Sequence, residues 1–287
     1  MDKLFTPSTV NKIIQEHDFK FSKSLGQNFL IDEHIIEKIL ISSDITKSDL
    51  VIEIGPGIGT LTAAIAEKAG KVKAVEIDKK LIPILKETLE NFDNVEIINE
   101  DILKTDLKQI IDNERKYAAI KIIGNLPYYI TTPIIMHILE AKLPIKNITI
   151  MIQKEVADRM KASPGGKEYG SLSVAVQYYC EIVPVAVVPK TVFIPKPNVD
   201  SFILRLDIRE KPAVDVLDER FFFKIVRASF SQRRKTLLNS LSSALKCSKD
   251  SLEETLVNCD IEPKRRAETL SLTEFARLAN ELYKNSQ

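Results

Sequence analysis

The stretch LVIEIGPGIGTLT, residues 50–62, decides how this chain is read. A short apolar run, LVIEI, passes directly into glycines at alternate positions, Gly55, Gly57 and Gly59, and then into TLTAAIAEKA, a helix-forming segment. A strand that turns through glycines into a helix lets backbone approach a ligand closely, because a residue without Cβ accepts turns that others resist. A nucleotide-like ligand is expected there. The dinucleotide fingerprint needs glycine at its first, third and sixth positions, and the sixth position here is Thr60. A nicotinamide dinucleotide therefore fits poorly.

Downstream, short apolar runs alternate with amphipathic segments: KVKAVEID, KKLIPILKETLENF, VEIINED, AAIKIIGN, TPIIMHILEAK and ITIMIQKEV. Nearly apolar strands separated by helices are what a parallel sheet covered on both faces requires. The expected fold is a doubly wound α/β domain. Upstream, Thr6 and Pro7 read as cap and first residue of a helix reaching about Asp18, and Asp32 as the cap of a second helix carrying Ile35, Ile36, Ile39 and Leu40. Between them KFSKSLGQNFL reads as a lid or flank. After Met160, SLSVAVQYYC is predicted helical, and IVPVAVV and SFILRLDI form a pair of strands at the sheet edge, joined through Pro195–Pro197. Beyond about Leu217 the pattern is purely helical. The reading gives a catalytic domain over 1–215, with a helical flank over 1–48, and a small helical domain over 216–287.

Two acidic residues extend the glycine loop into a pocket. Glu76 ends the second strand about 20 residues past the glycines, where a carboxylate can accept from both hydroxyls of a ribose. Asp101 closes the third strand and could accept from an adenine amine of the same ligand. Singly, each reads as a solvated strand end and the glycine loop as a tight turn. Their succession along the carboxyl edge of one sheet carries the argument, since open α/β folds bind ligands there.

The fourth strand ends in Asn125, Leu126, Pro127 and Tyr128, which resembles the [DNS]PP[YFW] signature of amino-methyltransferases with leucine in place of the first proline. The Asn125 side-chain carbonyl and the Leu126 backbone carbonyl can accept the two N–H groups of an exocyclic amine. Pro127 sets the turn, and Tyr128 offers a face on which an extruded base can stack. An adenine amine is a weak nucleophile, and acceptors aimed at its protons favour the pyramidal nitrogen of the transition state. A sulfonium donor brings its own leaving group, so alignment suffices and no nucleophilic Ser, Cys or His is required. Alone, NLPY could be a helix-start turn with a buried aromatic.

The totals restrict the alternatives. The 287 residues, 44% hydrophobic and 28% charged, suit a soluble globular protein of two domains rather than a disordered or fibrous one. Cys180, Cys247 and Cys259 are too few and too scattered for a disulfide framework or a zinc site. His17, His34 and His137 fall on helices as surface or packing residues, and no metal is implied. The N-terminus lacks an apolar core, so an unexported, cytoplasmic protein without a membrane is expected. A net charge of +1 makes no global case for nucleic acid, which leaves local clusters: Arg233, Arg234 and Lys235, and Lys264, Arg265 and Arg266.

Beyond these motifs, the chain resembles the KsgA (RsmA) family of ribosomal RNA adenine dimethyltransferases over nearly its whole length. The resemblance runs through LGQNFL (25–30), EIGPGIGTLT (53–62), VEID (75–78), EDIL (100–103) and GNLPYYITTPI (124–134). It continues in KEYGSLSVAVQYY (167–179), FIPKPNVDS (193–201) and FSQRRKTLLNSL (230–241). It implies a Rossmann-like class I methyltransferase fold with a small all-helical C-terminal domain, and S-adenosylmethionine as cofactor. Asn28, Leu30, Gly55, Gly57, Glu76, Asp101 and Asn125 are implied to hold that cofactor, and Phe193 to form a second aromatic wall opposite Tyr128.

The implied substrate is a pair of adjacent adenosines in a hairpin loop near the 3′ end of small-subunit rRNA, presented by an immature subunit to a monomeric enzyme. Arg233, Arg234 and Lys235 would contact the RNA, and Leu238 stands where a basic residue is frequent. A loop target suits the chemistry, because its bases are already partly unstacked. Two rival readings remain: an Erm-type methyltransferase of large-subunit rRNA, and a non-catalytic assembly or transcription factor on the same fold. The YGSLSV and FSQRRKTL segments oppose the first, and the complete pocket set opposes the second.

Overall fold

The computed structural model describes residues 4–245 and 248–286, so Cys247 lies outside the described residues. The chain divides into two compact units, one formed by the chain up to Ala157 with Ile182–Ile208, the other by Asp158–Glu181 and the chain from Arg209 onward. No described helix is long and apolar enough to cross a membrane.

The first unit opens with helix α1 (Pro7–Glu16), whose cap Thr6 accepts from the Thr9 amide, and buries Val10 and Ile13. A two-residue strand β1 (Phe29–Leu30) precedes helix α2 (Glu33–Ser43), capped by Asp32 through the Ile35 amide. Then strands and helices alternate: β2 (Asp49–Ile54), α3 (Thr60–Ala66), β3 (Lys71–Val75), α4 (Leu81–Thr88), β4 (Val95–Ile98) and α5 (Leu107–Asp112). The alternation goes on through β5 (Ala119–Asn125), α6 (Thr131–Glu140), β6 (Ile145–Gln153), α7 (Lys154–Met160), α8 (Ser171–Tyr179) and β7 (Cys180–Val188). A second two-residue strand, β8 (Phe193–Ile194), and β9 (Ser201–Ile208) complete the strands.

The seven-stranded sheet has the order β4-β3-β2-β5-β6-β9-β7. β4 through β6 run parallel and β9 pairs antiparallel with β6. Every residue of β2 is buried, as a central strand covered on both faces must be. Because β2 is flanked by β3 on one side and β5 on the other, the order of connection reverses beside it. Open sheets of this kind hold ligands at the carboxyl ends of the strands next to that reversal.

Residues of alternate parity take opposite faces of the sheet. On one face Val51, Ile123, Met151 and Ile203 pack with Ile35, Ile36, Ile39 and Leu40 of α2 and with Leu61 and Ile65 of α3. The same face carries polar residues at its other end: Lys121, 1% exposed, pairs with Asp49 at 2.9 Å and donates to the Asp44 carbonyl. The Arg205 guanidinium donates to the Ser42 carbonyl at 2.9 Å. Two cations thus meet the unsatisfied carbonyls at the C-terminal end of α2, where the helix dipole favours positive charge.

The second unit contains α8 with helices α9 (Glu219–Ser229), α10 (Leu237–Leu245), α11 (Lys249–Asn258) and α12 (Leu272–Lys284). Here the sequence reading, which ran the first domain unbroken to residue 215, differs from the structure. The reason is aromatic packing: Tyr178 stacks on Phe222 at 5.2 Å and Tyr179 on Phe223 at 5.6 Å, and both phenols donate to Glu219. Ser271 and Glu274 form a reciprocal cap at the start of α12. Cys180 and Cys259 are both buried.

Candidate functional site

The three strand ends named by the sequence converge on one pocket. Its first wall is the loop after β2, where Gly55, Gly57 and Gly59 take φ of 71°, 61° and 89°. At Gly57 the requirement is double, since an added Cβ would also sit 3.1 Å from the Phe29 ring.

Glu76 follows β3 immediately and is 5% exposed. It accepts from the Gly57 amide at 3.3 Å through one oxygen and from the Asp78 amide at 2.8 Å through the other. Burial pushes its pKa up to about 7 against the pull of those amides, and Asp78 raises it further. Asp101 lines the pocket from three residues beyond the end of β4 rather than at the strand end itself, and accepts from the Leu103 amide at 3.0 Å.

Glu53, the acid inside LVIEI, was missed in the sequence reading. It lines the same pocket at 1% exposure, and one carboxylate oxygen has no hydrogen-bond partner among the described residues. Burial, with the nearby Glu76 adding to it, pushes its pKa to about 8. The available signal was a carboxylate on an otherwise apolar central strand, a placement that costs free energy without a partner.

A strap from the N-terminal flank closes one side. The Gln27 side chain accepts from the Ser22 amide at 2.7 Å and donates to Asp78 at 2.7 Å, tying the strap to the loop that holds Glu76. Asn28 donates from its side chain to the Gly26 carbonyl at 2.8 Å. Its own carbonyl accepts from the Asn125 side-chain nitrogen at 3.0 Å. With that nitrogen occupied, the Asn125 carbonyl oxygen is left as the group able to accept from a ligand.

The turn after β5 is fixed from both sides. The Leu126 amide donates to the Met151 carbonyl at 3.1 Å, and the Thr131 hydroxyl donates to the Pro127 carbonyl at 3.0 Å as α6 begins. Half-buried Tyr128 places its hydroxyl 2.7 Å from that of Ser201, a fully buried residue at the start of β9. Tyr129, 57% exposed, stands at the pocket rim.

Phe193 is not brought to this pocket. It is 3% exposed, its backbone pairs with Leu30 through β1 and β8, and it belongs to the apolar cluster under α2 and α3. Leu30, 5% exposed, lies between that cluster and the pocket as part of both. Arg233, Arg234 and Lys235 are exposed on the second unit, with Arg233 donating to the Lys167 carbonyl at 2.9 Å. The other basic cluster is partly structural, for Arg265 is clamped to Glu274 at 2.5 Å and to the Thr269 carbonyl at 2.7 Å.

The chain is similar to known proteins over nearly its whole length. The family model described as ribosomal RNA adenine dimethylase matches residues 18–284. A ribosomal RNA small subunit methyltransferase A from Clostridioides difficile is 53% identical over 280 residues, covering 98% of this chain and 97% of that protein. The protein of the same name from Alkaliphilus oremlandii is 54% identical over 285 residues, 99% of each chain. Among solved structures, a dimethyladenosine transferase from Plasmodium falciparum superposes with a TM-score of 0.77 at 27% identity, over 90% of this chain and 98% of that one. The 23S rRNA methyltransferase ErmE gives 0.68 at 26% identity, over 89% and 99%.

Proposed function

The chain belongs to the ribosomal RNA adenine dimethylase family, and from that premise we propose that it methylates the N6 amines of two adjacent adenosines in a 3′-terminal hairpin loop of 16S rRNA. The product is N6,N6-dimethyladenosine, formed on an immature small subunit during ribosome biogenesis by a monomeric cytoplasmic enzyme. The observation that carries the reading is the locked orientation of Asn125, whose nitrogen is held by the Asn28 carbonyl and whose oxygen is left for an amine.

The pocket suits S-adenosylmethionine by its chemistry. An orphaned buried oxygen on Glu53 calls for a cationic or hydrogen-bonding ligand group, and Glu76 offers acceptors at the position suited to ribose hydroxyls. Asn28, Leu30, Gly55, Gly57 and Asp101 complete the enclosure. When bound, the cofactor supplies an electrophilic methyl group on a sulfonium that departs as a neutral thioether.

The residues of this chain then have distinct tasks. Tyr128 stacks on the extruded base and Pro127 holds the turn. The Asn125 side-chain carbonyl and the Leu126 backbone carbonyl accept from the amine, favouring the pyramidal nitrogen that develops as it attacks. Apolar walls exclude water, which strengthens those dipoles. Phe193 backs the pocket through Leu30. The helical C-terminal part supplies RNA contacts, with Arg233, Arg234 and Lys235 set against phosphates.

Incubation with labelled cofactor and small subunits from a strain lacking this modification, followed by nucleoside analysis, tests the proposal. Dimethyladenosine in 16S rRNA is expected. No label in 16S rRNA, or label taken up only by large subunits in a parallel incubation, would overturn it.

A further inference from the structure

Helix α9 has three exposed positions, and all three are cationic: Arg220, Lys224 and Arg227. The opposite face, Phe222, Phe223, Ile225 and Val226, is buried in the second unit. Spacings of four and three residues put the cations in one row about 10 Å long on the helix surface. The single acid of the helix, Glu219, is turned away and accepts from the Tyr178 and Tyr179 hydroxyls.

The helix itself accounts for only part of this pattern: Arg227, in the last turn, complements the macrodipole, and Lys224 sits 5.8 Å from the centre of the Phe221 ring. Arg220 lies in the first turn, where the macrodipole disfavours positive charge. The pairs Arg220–Lys224 and Lys224–Arg227 repel at helical contact spacing. No ion pair among the described residues offsets Arg220 or Arg227. A face serving only solubility would mix signs, as α11 does with Lys249, Asp250, Glu253 and Glu254 exposed. In a chain of net charge +1, this is segregation by face. The row also leads into the exposed Arg233, Arg234 and Lys235 just past the helix end. A membrane surface is a poor occupant, because the apolar face that would enter it is already buried.

We infer that Arg220, Lys224 and Arg227 form a backbone-reading ridge that docks on rRNA phosphates and extends the Arg233–Lys235 contact along α9. The inference rests on the rRNA reading above and adds to it a surface with no part in the cofactor pocket. Each contact neutralises one phosphate and releases counterions, so the ridge contributes affinity and salt dependence without reading bases.

The test uses the full chain and unmethylated small subunits in binding titrations over a range of salt. One triple variant is Arg220→Ala, Lys224→Ala and Arg227→Ala; a charge-matched control is Lys38→Ala, Lys86→Ala and Lys108→Ala, all exposed on the first unit. The ridge variant should lose on the order of tenfold or more in affinity, and its slope of log K against log salt should flatten by about 2. The control should keep the wild-type slope, and cofactor binding should be unchanged in both. A ridge variant with the wild-type slope overturns the ridge alone, as do equal losses in the two variants. Failure of the unaltered chain to bind small subunits would overturn the rRNA reading and the ridge together.

Discussion

The side-chain nitrogen of Asn125 donates to the main-chain carbonyl of Asn28 at 3.0 Å across 97 residues of sequence. The N-terminal strap thereby chooses which end of the Asn125 amide meets the pocket. Asn125→Ala should lower turnover on the order of 10² or more with the fold retained. Asn125→Asp, of the same shape, should also be impaired, because a carboxylate cannot donate to Asn28 and would face its carbonyl. Turnover in single-cycle methylation reads both, and an active Asn125→Ala would remove the residue from the reaction centre.

Glu76 is pushed up to about 7 by burial, so near neutral pH the free pocket holds a proton for much of the time. Ribose hydroxyls donate best to the ionised carboxylate, so binding should expel that proton and cofactor affinity should climb between about pH 6 and 8. Calorimetry in buffers of different ionisation heat measures the release. Glu76→Ala should weaken binding by about 1–3 kcal/mol and reduce the proton release. Unaltered affinity in the variant would count against the assignment.

Glu53 makes the free chain less stable as pH rises from the ordinary glutamate range to about 8. Its folded pKa, about 8, lies above that of an unfolded glutamate, so the folded state holds the proton longer. The sign follows: stability is full below the ordinary glutamate range, falls as pH rises through it, and levels off above about 8. Glu53→Gln should therefore raise the Tm of the cofactor-free protein at pH 8.5 while changing it little at pH 4. Equal shifts at both pH values would show that the carboxylate is not the cause.

Tyr128 and Ser201 form the second long-range hold on the reaction centre, at 2.7 Å. Ser201→Ala frees the phenol and should cost catalytic efficiency about two- to tenfold, the worth of one hydrogen bond. A ring that wanders should affect handling of the base and leave the cofactor dissociation constant alone. In a double-mutant cycle with Tyr128→Phe the two losses should not add. Full additivity would mean that Ser201 acts elsewhere.

The alternating apolar runs announced the parallel sheet, and the β2 glycines, Glu76, Asp101 and Asn125 were legible as pocket residues. Each lies at or just past a strand end, and such ends are local features. Asp32 and Thr6 were readable as caps for the same reason, since a cap satisfies amides two or three residues away.

What the sequence could not supply were pairings between distant segments. The burial of Glu53, the Asn28–Asn125 and Tyr128–Ser201 bonds, and the β1–β8 pairing that takes Phe193 into the core all join parts of the chain separated by many residues. The grouping of α8 with the C-terminal helices is of the same kind, made by rings that meet only after folding. Periodicity and turn chemistry act over a few residues and set which elements form. Orientation of a side chain, and the proton it carries, depend on neighbours that only the folded chain assembles.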